Sequence, residues 1–222
     1  MLKFFAKYKF FGLVMLVLSA IIITLIYDAL KVEQKLPIYQ PEMVTAELVD
    51  STVQHIRRFH KIGDFKLINQ DGDSIFNATF DDKIYVTDFF FTTCMSICVP
   101  MTEHMKLLQD EFLDEDDILL LSHTVTPEID DVPQLKKHAT KMGLISGKWH
   151  MATGDKKHIY ELARKHYLAS KTDGDGGPYD LVHTENFVLV DKEKRIRGFY
   201  DGTDIKEINR LIKDIRILQK EY

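Results

Sequence analysis

Residues 83–125 show the clearest succession of hydrophobic and polar positions in the chain. Two runs rich in β-branched, aromatic and aliphatic residues, 83–91 (KIYVTDFFF) and 117–125 (DILLLSHTV), predict buried strands. Between these runs, apolar residues recur at helical spacing at Met101, Met105, Leu108 and Phe112. A strand followed by a helix and a second strand predicts two parallel strands joined by a crossover helix.

Two hairpins are predicted on either side of this unit. The first pairs residues 65–68 with residues 74–80 across an Asp-Gly turn, a dipeptide typical of reversals. The second pairs residues 181–190 with residues 195–200. Antiparallel hairpins therefore flank the predicted parallel strands.

Further helices and one short strand complete the pattern. Asp155 is a good N-cap for a helix that runs to about Tyr167. The remaining elements are a helix at 132–142 closed by Gly143, a strand at 149–152, and a last helix marked by Ile205, Ile208, Leu211, Ile212 and Ile215. The whole order predicts an α/β protein with a thioredoxin-like fold, to which an N-terminal hairpin and a C-terminal hairpin are added.

The N-terminal segment has the pattern of a membrane anchor. Residues 10–27 form a run of 18 residues without a charge, about 27 Å long as a helix and close to the thickness of a bilayer. Three lysines precede the run and an aspartate follows it, so the positive-inside rule predicts a cytoplasmic N-terminus. A cleaved signal peptide is the alternative, but no A-x-A site follows the run. One transmembrane helix is therefore expected.

These patterns divide the chain into four parts. We expect a cytoplasmic stub at 1–9, a transmembrane anchor at 10–27, a juxtamembrane spacer at 28–62 and a folded domain at 63–222. The spacer is expected to contain a strand or two near Glu42–Leu48. The folded domain then lies in the periplasm, or on the outer face of the inner (cytoplasmic) membrane.

The distribution of charge argues against nucleic-acid binding. The whole chain carries −5, and without the three N-terminal lysines the remainder has 26 basic and 34 acidic residues, a balance of −8. An acidic body repels phosphates, and no basic stripe interleaved with aromatic residues is present in the sequence.

Cys94 and Cys98 are the two cysteines of the chain, and they lie where the strand at 83–91 leads into the next helix. A disulfide between residues four apart closes a very small loop and contributes little to stability. On one helical face their Cβ atoms would be about 5–6 Å apart, which allows shared binding of a metal and, with local tightening, a disulfide. The pair therefore indicates chemistry more than structural stapling.

Two thiolates are soft ligands and favour Cu(I), zinc or an iron–sulfur cluster. An iron–sulfur cluster usually takes four cysteines and structural zinc takes four protein ligands, so copper is favoured over zinc. A third ligand would come from nine histidines. His183 leads because it opens the penultimate strand directly after a glycine-rich loop, and such a loop can fold over the strand ends, where α/β sheets bind ligands.

The other histidines are expected elsewhere. His123 is expected beside the site as a supporting residue, and His104 points away from the cysteines. His150 is expected in packing, and three more are expected in solvent: His138, His158 and His166. Met95 is expected to fill a gap in the packing, with a thioether ligand to the metal as the alternative.

Four segments of the chain resemble the SCO/SenC family of copper-binding proteins. They are VTDFFFTTCMSIC with its C-x3-C spacing, VTPEIDDVPQL at 125–135, the stretch from Trp149 to Thr153-Gly154, and LVHTENFVLVD at 181–191. The resemblance implies that Cys94, Cys98 and His183 are the metal ligands. Thr126 stands where many relatives have an aspartate.

The resemblance also implies a function. Members of this family are copper chaperones that serve assembly of the CuA site of cytochrome c oxidase. It implies copper as the bound ion, Cu(I) or Cu(II), and an oxidase subunit with the CuA site as partner. Other copper carriers and thioredoxin-like reductants are further expected partners.

Other functions stay open from the sequence. The first alternative is a membrane-anchored thiol–disulfide reductase that acts on the cysteines of a copper-site partner through Cys94 and Cys98. A peroxide-reducing enzyme and a purely structural module fit the paired cysteines and the distant histidine less well. A metallochaperone rather than an enzyme is therefore the leading prediction.

Overall fold

The computed structural model describes residues 2–30, 35–45, 48–170, 177, 181–182 and 184–222. The chain divides into two compact units, Met1–Lys35 and Leu36–Tyr222. The first contains helix α1, Leu2–Leu30. Within α1 the stretch Tyr8–Ile26 is long and apolar enough to cross a membrane, and none of it is buried. This helix fits the single-pass anchor expected from the sequence.

In the described part of the second unit, seven strands form one sheet in the order β2-β1-β5-β4-β3-β6-β7. The strands are β1 Lys66–Asn69, β2 Ser74–Phe76, β3 Ile84–Phe90, β4 Ile118–Thr124, β5 Trp149–Thr153, β6 Asn186–Val190 and β7 Ile196–Asp201. The helices are α2 Cys98–Glu111, α3 Val132–Met142, α4 Lys156–Glu161 and α5 Ile205–Gln219. The predicted α/β order is confirmed.

Strands β3, β4 and β5 are parallel neighbours, whereas β1, β2, β6 and β7 add antiparallel pairs at the two sides. Every residue of β3 and β4 is buried, as expected for parallel strands covered on both faces. One face carries the core residues of α2 and α5, such as Met105 and Leu211. The other face packs against α4, and its core includes Tyr160 of α4 and Leu67 of β1.

Both predicted hairpins are present, but two of their arms are shorter than the sequence predicts. Asn77–Phe80 is a 3-10 helix rather than strand, because the Thr79 hydroxyl accepts the backbone N–H of Phe76 at 3.0 Å and turns the chain. Strand β6 begins at Asn186 and not at residue 181. The Thr184 hydroxyl accepts the N–H of Asn186 at 3.1 Å and donates to the Ala169 carbonyl at 2.5 Å, which binds Thr184 to Ala169 instead of to a neighbouring strand.

The strand predicted near Glu42–Leu48 is also wrong for the described residues of that stretch. Pro41–Met43 forms a 3-10 helix with Pro41 at its first position, where a missing N–H costs nothing. Val49 and Ile62 are buried in the core, so part of the segment 28–62 packs on the sheet. The domain boundary at residue 63 stays a prediction.

The helices agree closely with the sequence pattern. Helix α3 has the predicted bounds and ends at Gly143, whose φ of 71° is the left-handed conformation that glycine adopts without strain. The Asp155 side chain caps α4 by accepting the N–H of His158 at 2.8 Å. A π-helical turn, Leu162–His166, extends α4 towards the predicted end near Tyr167.

Candidate metal site and thiol pair

The two cysteines lie at the carboxyl end of β3, in the turn that leads into α2. The Cys94 amide donates to the Phe91 carbonyl at 3.2 Å and closes this turn. Cys98 is the first residue of α2 and is 6 % exposed. Its carbonyl accepts a 2.7 Å hydrogen bond from the Thr102 hydroxyl one turn later. Both thiols are free.

The expectation that both cysteines share one helical face is wrong, because Cys94 precedes the helix. Pro100 explains the difference. A helix that began near Cys94 would need an N–H at residue 100 to bond to the Ser96 carbonyl, and the proline ring removes that donor. The turn instead brings Cys94 and Cys98 close enough for each thiol to shift the pKa of the other.

The two thiols have opposite electrostatic environments. Partial burial alone would raise the pKa of Cys94, but hydrogen bonds from Ser96, from the Cys98 thiol and from both backbone amides lower that pKa from 9.0 to about 7. Burial raises the pKa of Cys98 to about 12, and the adjacent Cys94 thiol adds to the rise. Cys94 is therefore the thiol that ionises and reacts first.

A buried carboxylate, Asp88, lies in β3, the strand that leads into the cysteine turn. Asp88 is 2 % exposed in the middle of β3, opposite Ser122 of β4, and burial raises its pKa from 3.8 to about 7 against a hydrogen bond from Ser122. The Ser122 hydroxyl also accepts the indole N–H of Trp149 at 2.9 Å. The negative charge of Asp88 contributes to the raised pKa of Cys98. An acid within the apolar run KIYVTDFFF was the sequence signal for this residue.

A second buried carboxylate, Asp130, connects the turn to β4. Asp130 is fully buried and accepts hydrogen bonds from the Thr92 amide at 3.2 Å and from the Thr92 hydroxyl. The hydroxyls of Thr124 and Thr126 donate to the same carboxylate at 2.5 Å and 3.0 Å. Sequence reasoning missed this cluster because its members are spread over 39 residues.

His183 lies outside the described residues, so its contact with the thiols stays a prediction. The residues on either side of it are described: Val182 is buried in the core, and Thr184 is 5 % exposed. They precede β6, which runs antiparallel to β3, with Val188 paired to Thr87. The start of β6 therefore lies beside the end of β3 that leads to Cys94.

The other eight histidines belong to the described residues, and within that part of the chain no group of three His, Cys, Asp or Glu side chains could hold a metal ion. His104 Nδ1 lies 2.7 Å from the Gly202 carbonyl. His150 packs edge-on against Phe80, with ring centroids 6.0 Å apart.

His123 was expected beside the site, but the structure contradicts this. Its ring stacks on Phe89 at 4.9 Å between centroids, and Phe89 belongs to the core on the face opposite Cys98. Nδ1 lies 3.1 Å from the Thr87 hydroxyl. Full burial lowers the pKa of His123 to about 3, so the ring is neutral.

Two histidines expected in solvent and one methionine expected in packing are also corrected. The ring of His138 stacks on Phe90 at 6.0 Å, and His166 Nδ1 accepts the Gly63 amide at 3.1 Å. Met95 is 89 % exposed and fills no gap in the core. The long apolar side chain of Met95 instead lies on the surface beside Cys94.

The fold and site define a class of protein, namely a thioredoxin-like α/β domain with a C-x3-C thiol pair at a strand-to-helix turn. Residues 53–219 match the family model described as SCO1/SenC. The chain therefore belongs to the SCO1/SenC family.

Relatives of known sequence and structure agree with this assignment. The SCO1 protein homolog of Bacillus subtilis is 31 % identical over 161 residues, which are 71 % of this chain and 82 % of that protein. The solved structure of BsSco is 31 % identical with a TM-score of 0.61, covering 72 % of this chain and 93 % of BsSco. That structure identified a disulfide switch in BsSco, a member of the Sco family of cytochrome c oxidase assembly proteins.

A copper-bound relative shares the fold. The structure of Arabidopsis thaliana ScoI with copper bound is 23 % identical with a TM-score of 0.54, covering 69 % of this chain and 97 % of that chain. This likeness supports the thioredoxin-like architecture of Leu36–Tyr222.

Proposed function

We propose that this protein is a membrane-anchored copper chaperone that binds one copper ion through the Cys94 and Cys98 thiolates and the His183 imidazole. It delivers copper to, or prepares, the CuA site of a cytochrome c oxidase subunit. The observation that carries the proposal is the pair of free thiols at the end of β3, close enough for each to shift the pKa of the other. Two neighbouring sulfur donors suit a soft ion such as Cu(I).

His183 is the proposed third ligand for two reasons. It belongs to the LVHTENFVLVD segment, whose resemblance to the SCO/SenC family implies a metal-binding histidine, and none of the other eight histidines, all among the described residues, belongs to a group of three side chains that could hold a metal ion. The described chain on both sides of it leads into β6 beside the end of β3. Three ligands leave a fourth position open for an incoming donor from a partner, which suits transfer by ligand exchange.

The proposed transfer begins at Cys94. This sulfur is the more exposed of the pair and has the lower pKa, so a partner ligand reaches it before Cys98. Oxidation of the pair to a disulfide removes both thiolates and two electrons, and therefore prevents copper binding. Loading thus requires reduced thiols, which a thioredoxin-like reductant would supply.

The anchor determines where the transfer takes place. Helix α1 fits a single membrane span, and the lysines that precede the span favour a cytoplasmic N-terminus. The folded unit then faces the periplasm or the outer surface of the cytoplasmic membrane. There it meets membrane-bound oxidase subunits and other copper carriers.

Copper titration of the reduced full-length chain in detergent tests this function. Cu(I) is added against a competing chelator, and the copper bound per chain is counted. We expect one tightly bound ion, at least 100-fold weaker binding for His183→Ala, and no tight binding for Cys94→Ser/Cys98→Ser. His55→Ala changes an exposed histidine and should bind as the wild type does. Tight binding that survives His183→Ala would refute the proposed ligand set.

The asymmetry of the two thiols favours thiol–disulfide reduction as a second candidate function. The Cys94 thiolate would attack a partner disulfide, form a mixed disulfide and release one partner thiolate. Cys98 would then attack the Cys94 sulfur, release the second partner thiol and leave a Cys94–Cys98 disulfide. His183→Ala should leave the rate of this reduction unchanged. Measuring turnover with a disulfide substrate and a reductant distinguishes this activity from copper binding.

A further inference from the structure

The two cysteines are held by different parts of the protein. Cys98 is fixed by α2, through its position at the helix start and the hydrogen bond from Thr102 to its carbonyl. Cys94 has no helix around it and depends on the turn that its amide closes with the Phe91 carbonyl. Whatever fixes this turn therefore sets the separation of the two sulfurs.

Thr92 is the second residue of this turn, and both of its donors are bound to Asp130. Its amide donates at 3.2 Å and its hydroxyl donates to the other carboxylate oxygen. The same hydroxyl accepts the side-chain amide of Gln134 at 2.9 Å. Residues outside the turn, Asp130 and Gln134, therefore hold Thr92 in place by hydrogen bonds.

Asp130 is itself fixed to the sheet. The hydroxyls of Thr124 and Thr126 donate to one of its oxygens, and its own amide donates to the Thr126 carbonyl at 2.9 Å. A fully buried carboxylate is costly unless its oxygens accept hydrogen bonds. Four donors satisfy this one and hold it in one position, namely the Thr92 amide and the hydroxyls of Thr92, Thr124 and Thr126. The end of β4 is thereby connected rigidly to the turn before Cys94.

We propose that Asp130 is a positioning residue that fixes Cys94 relative to Cys98 through Thr92. It thereby sets the stability of the Cys94–Cys98 disulfide and, resting on the function proposed above, the affinity of the pair for Cu(I). Asp130 does not bind the metal in this scheme. Releasing Thr92 lowers the effective concentration of one sulfur at the other, so both a disulfide and a shared metal become less favourable.

The test measures two equilibria on the reduced full-length chain in detergent. One is formation of the disulfide against a glutathione buffer, and the other is Cu(I) binding against a chelator. We expect Asp130→Asn to lower both constants at least tenfold. Asp131→Asn is the matched control, since the Asp131 carboxylate accepts the backbone N–H of Gln134 at 2.9 Å as the N-cap of α3. It should change either constant by less than twofold.

Three threonine variants separate positioning from general stability, and they decide the question if Asp130→Asn does not fold. Thr92→Val removes the hydroxyl that binds Asp130 and should lower both constants at least threefold, whereas Thr92→Ser should restore them. Thr126→Val removes a donor on the β4 side and should have less effect than Thr92→Val. Equal effects of Thr126→Val and Thr92→Val, or no effect of Thr92→Val, would overturn the proposal.

The two readouts also separate this inference from the proposed function. A wild-type chain that forms its disulfide normally but binds no Cu(I) refutes the chaperone. In that case the glutathione equilibrium of Asp130→Asn and Thr92→Val still supports or refutes the positioning role.

Discussion

Replacement of Asp88 by asparagine should stabilise the protein at neutral and alkaline pH. Burial raises the pKa of Asp88 from 3.8 to about 7, so the folded state retains a proton that the unfolded chain has already released. Between about pH 4 and pH 7 the free energy of unfolding of the wild type therefore falls as pH rises, and above pH 7 the loss is complete. A rise of about three pKa units corresponds to about 4 kcal/mol.

Asp88→Asn retains the shape and the acceptor for Ser122 but carries no titratable group. Its advantage over the wild type should be near zero at pH 4 and should grow by about 1.4 kcal/mol per pH unit towards pH 7. The buried histidines are present in both proteins, so the difference between the two curves isolates Asp88.

Urea unfolding of the full-length chain in detergent measures this difference. Trp149 is the one tryptophan of the sequence and is 1 % exposed, so its fluorescence reports on unfolding of the core beside Ser122. Asp114→Asn changes an exposed acid and is the control for the loss of one negative charge outside the core. A difference between Asp88→Asn and the wild type that stays constant within 1 kcal/mol from pH 4.5 to pH 8 would refute the reasoning.

Two further predictions concern the thiols and a buried ion pair. Alkylation of the reduced protein should modify Cys94 first, with a rate that rises through a midpoint near pH 7. The reason is that hydrogen bonds lower the pKa of Cys94 to about 7, whereas burial raises the pKa of Cys98 to about 12. Equal alkylation rates for both thiols, followed by mass spectrometry, would contradict this prediction. Arg197→Met should cost about 3–5 kcal/mol in urea unfolding, because Arg197 is 2 % exposed and leaves the fully buried Asp191 without that partner. Arg210→Met, at a side chain 45 % exposed, should cost less than 1 kcal/mol, and a similar cost for both variants would contradict the second prediction.

The hydrophobic pattern predicted the elements of the fold well where burial is continuous. Strands β3 and β4 are buried at every residue, and α3 has a proline near its start and a glycine at its end that mark it in the sequence. The predictions failed where short polar side chains redirect the backbone. The hydroxyls of Thr79 and Thr184 accept backbone amides, and such local bonds have no periodic signature.

The sequence predicted the chemistry of the site, but not the positions of the residues that surround and hold the cysteines. The C-x3-C spacing indicates a shared ligand, but the position of Cys94 before the helix follows from Pro100, whose effect depends on where the helix starts. The place of His123 depended on which face of β4 it occupies, and alternate residues of a strand face opposite sides. Asp130 binds Thr92 from 38 residues away, which only the folded chain reveals.

Arg197 also has a mechanical consequence for the folded unit. It binds the carbonyls of Leu36 and Pro37, and the Glu221 carboxylate near the last residue. Its neighbour Ile196 pairs with Val190, and Val190 pairs with Tyr85 near the beginning of β3, about 20 Å along the strand from the turn that carries the thiols. A force applied through the chain before Leu36 is therefore borne by β7 and the C-terminal residues. The thiol turn lies outside this line of tension, at the opposite end of β3.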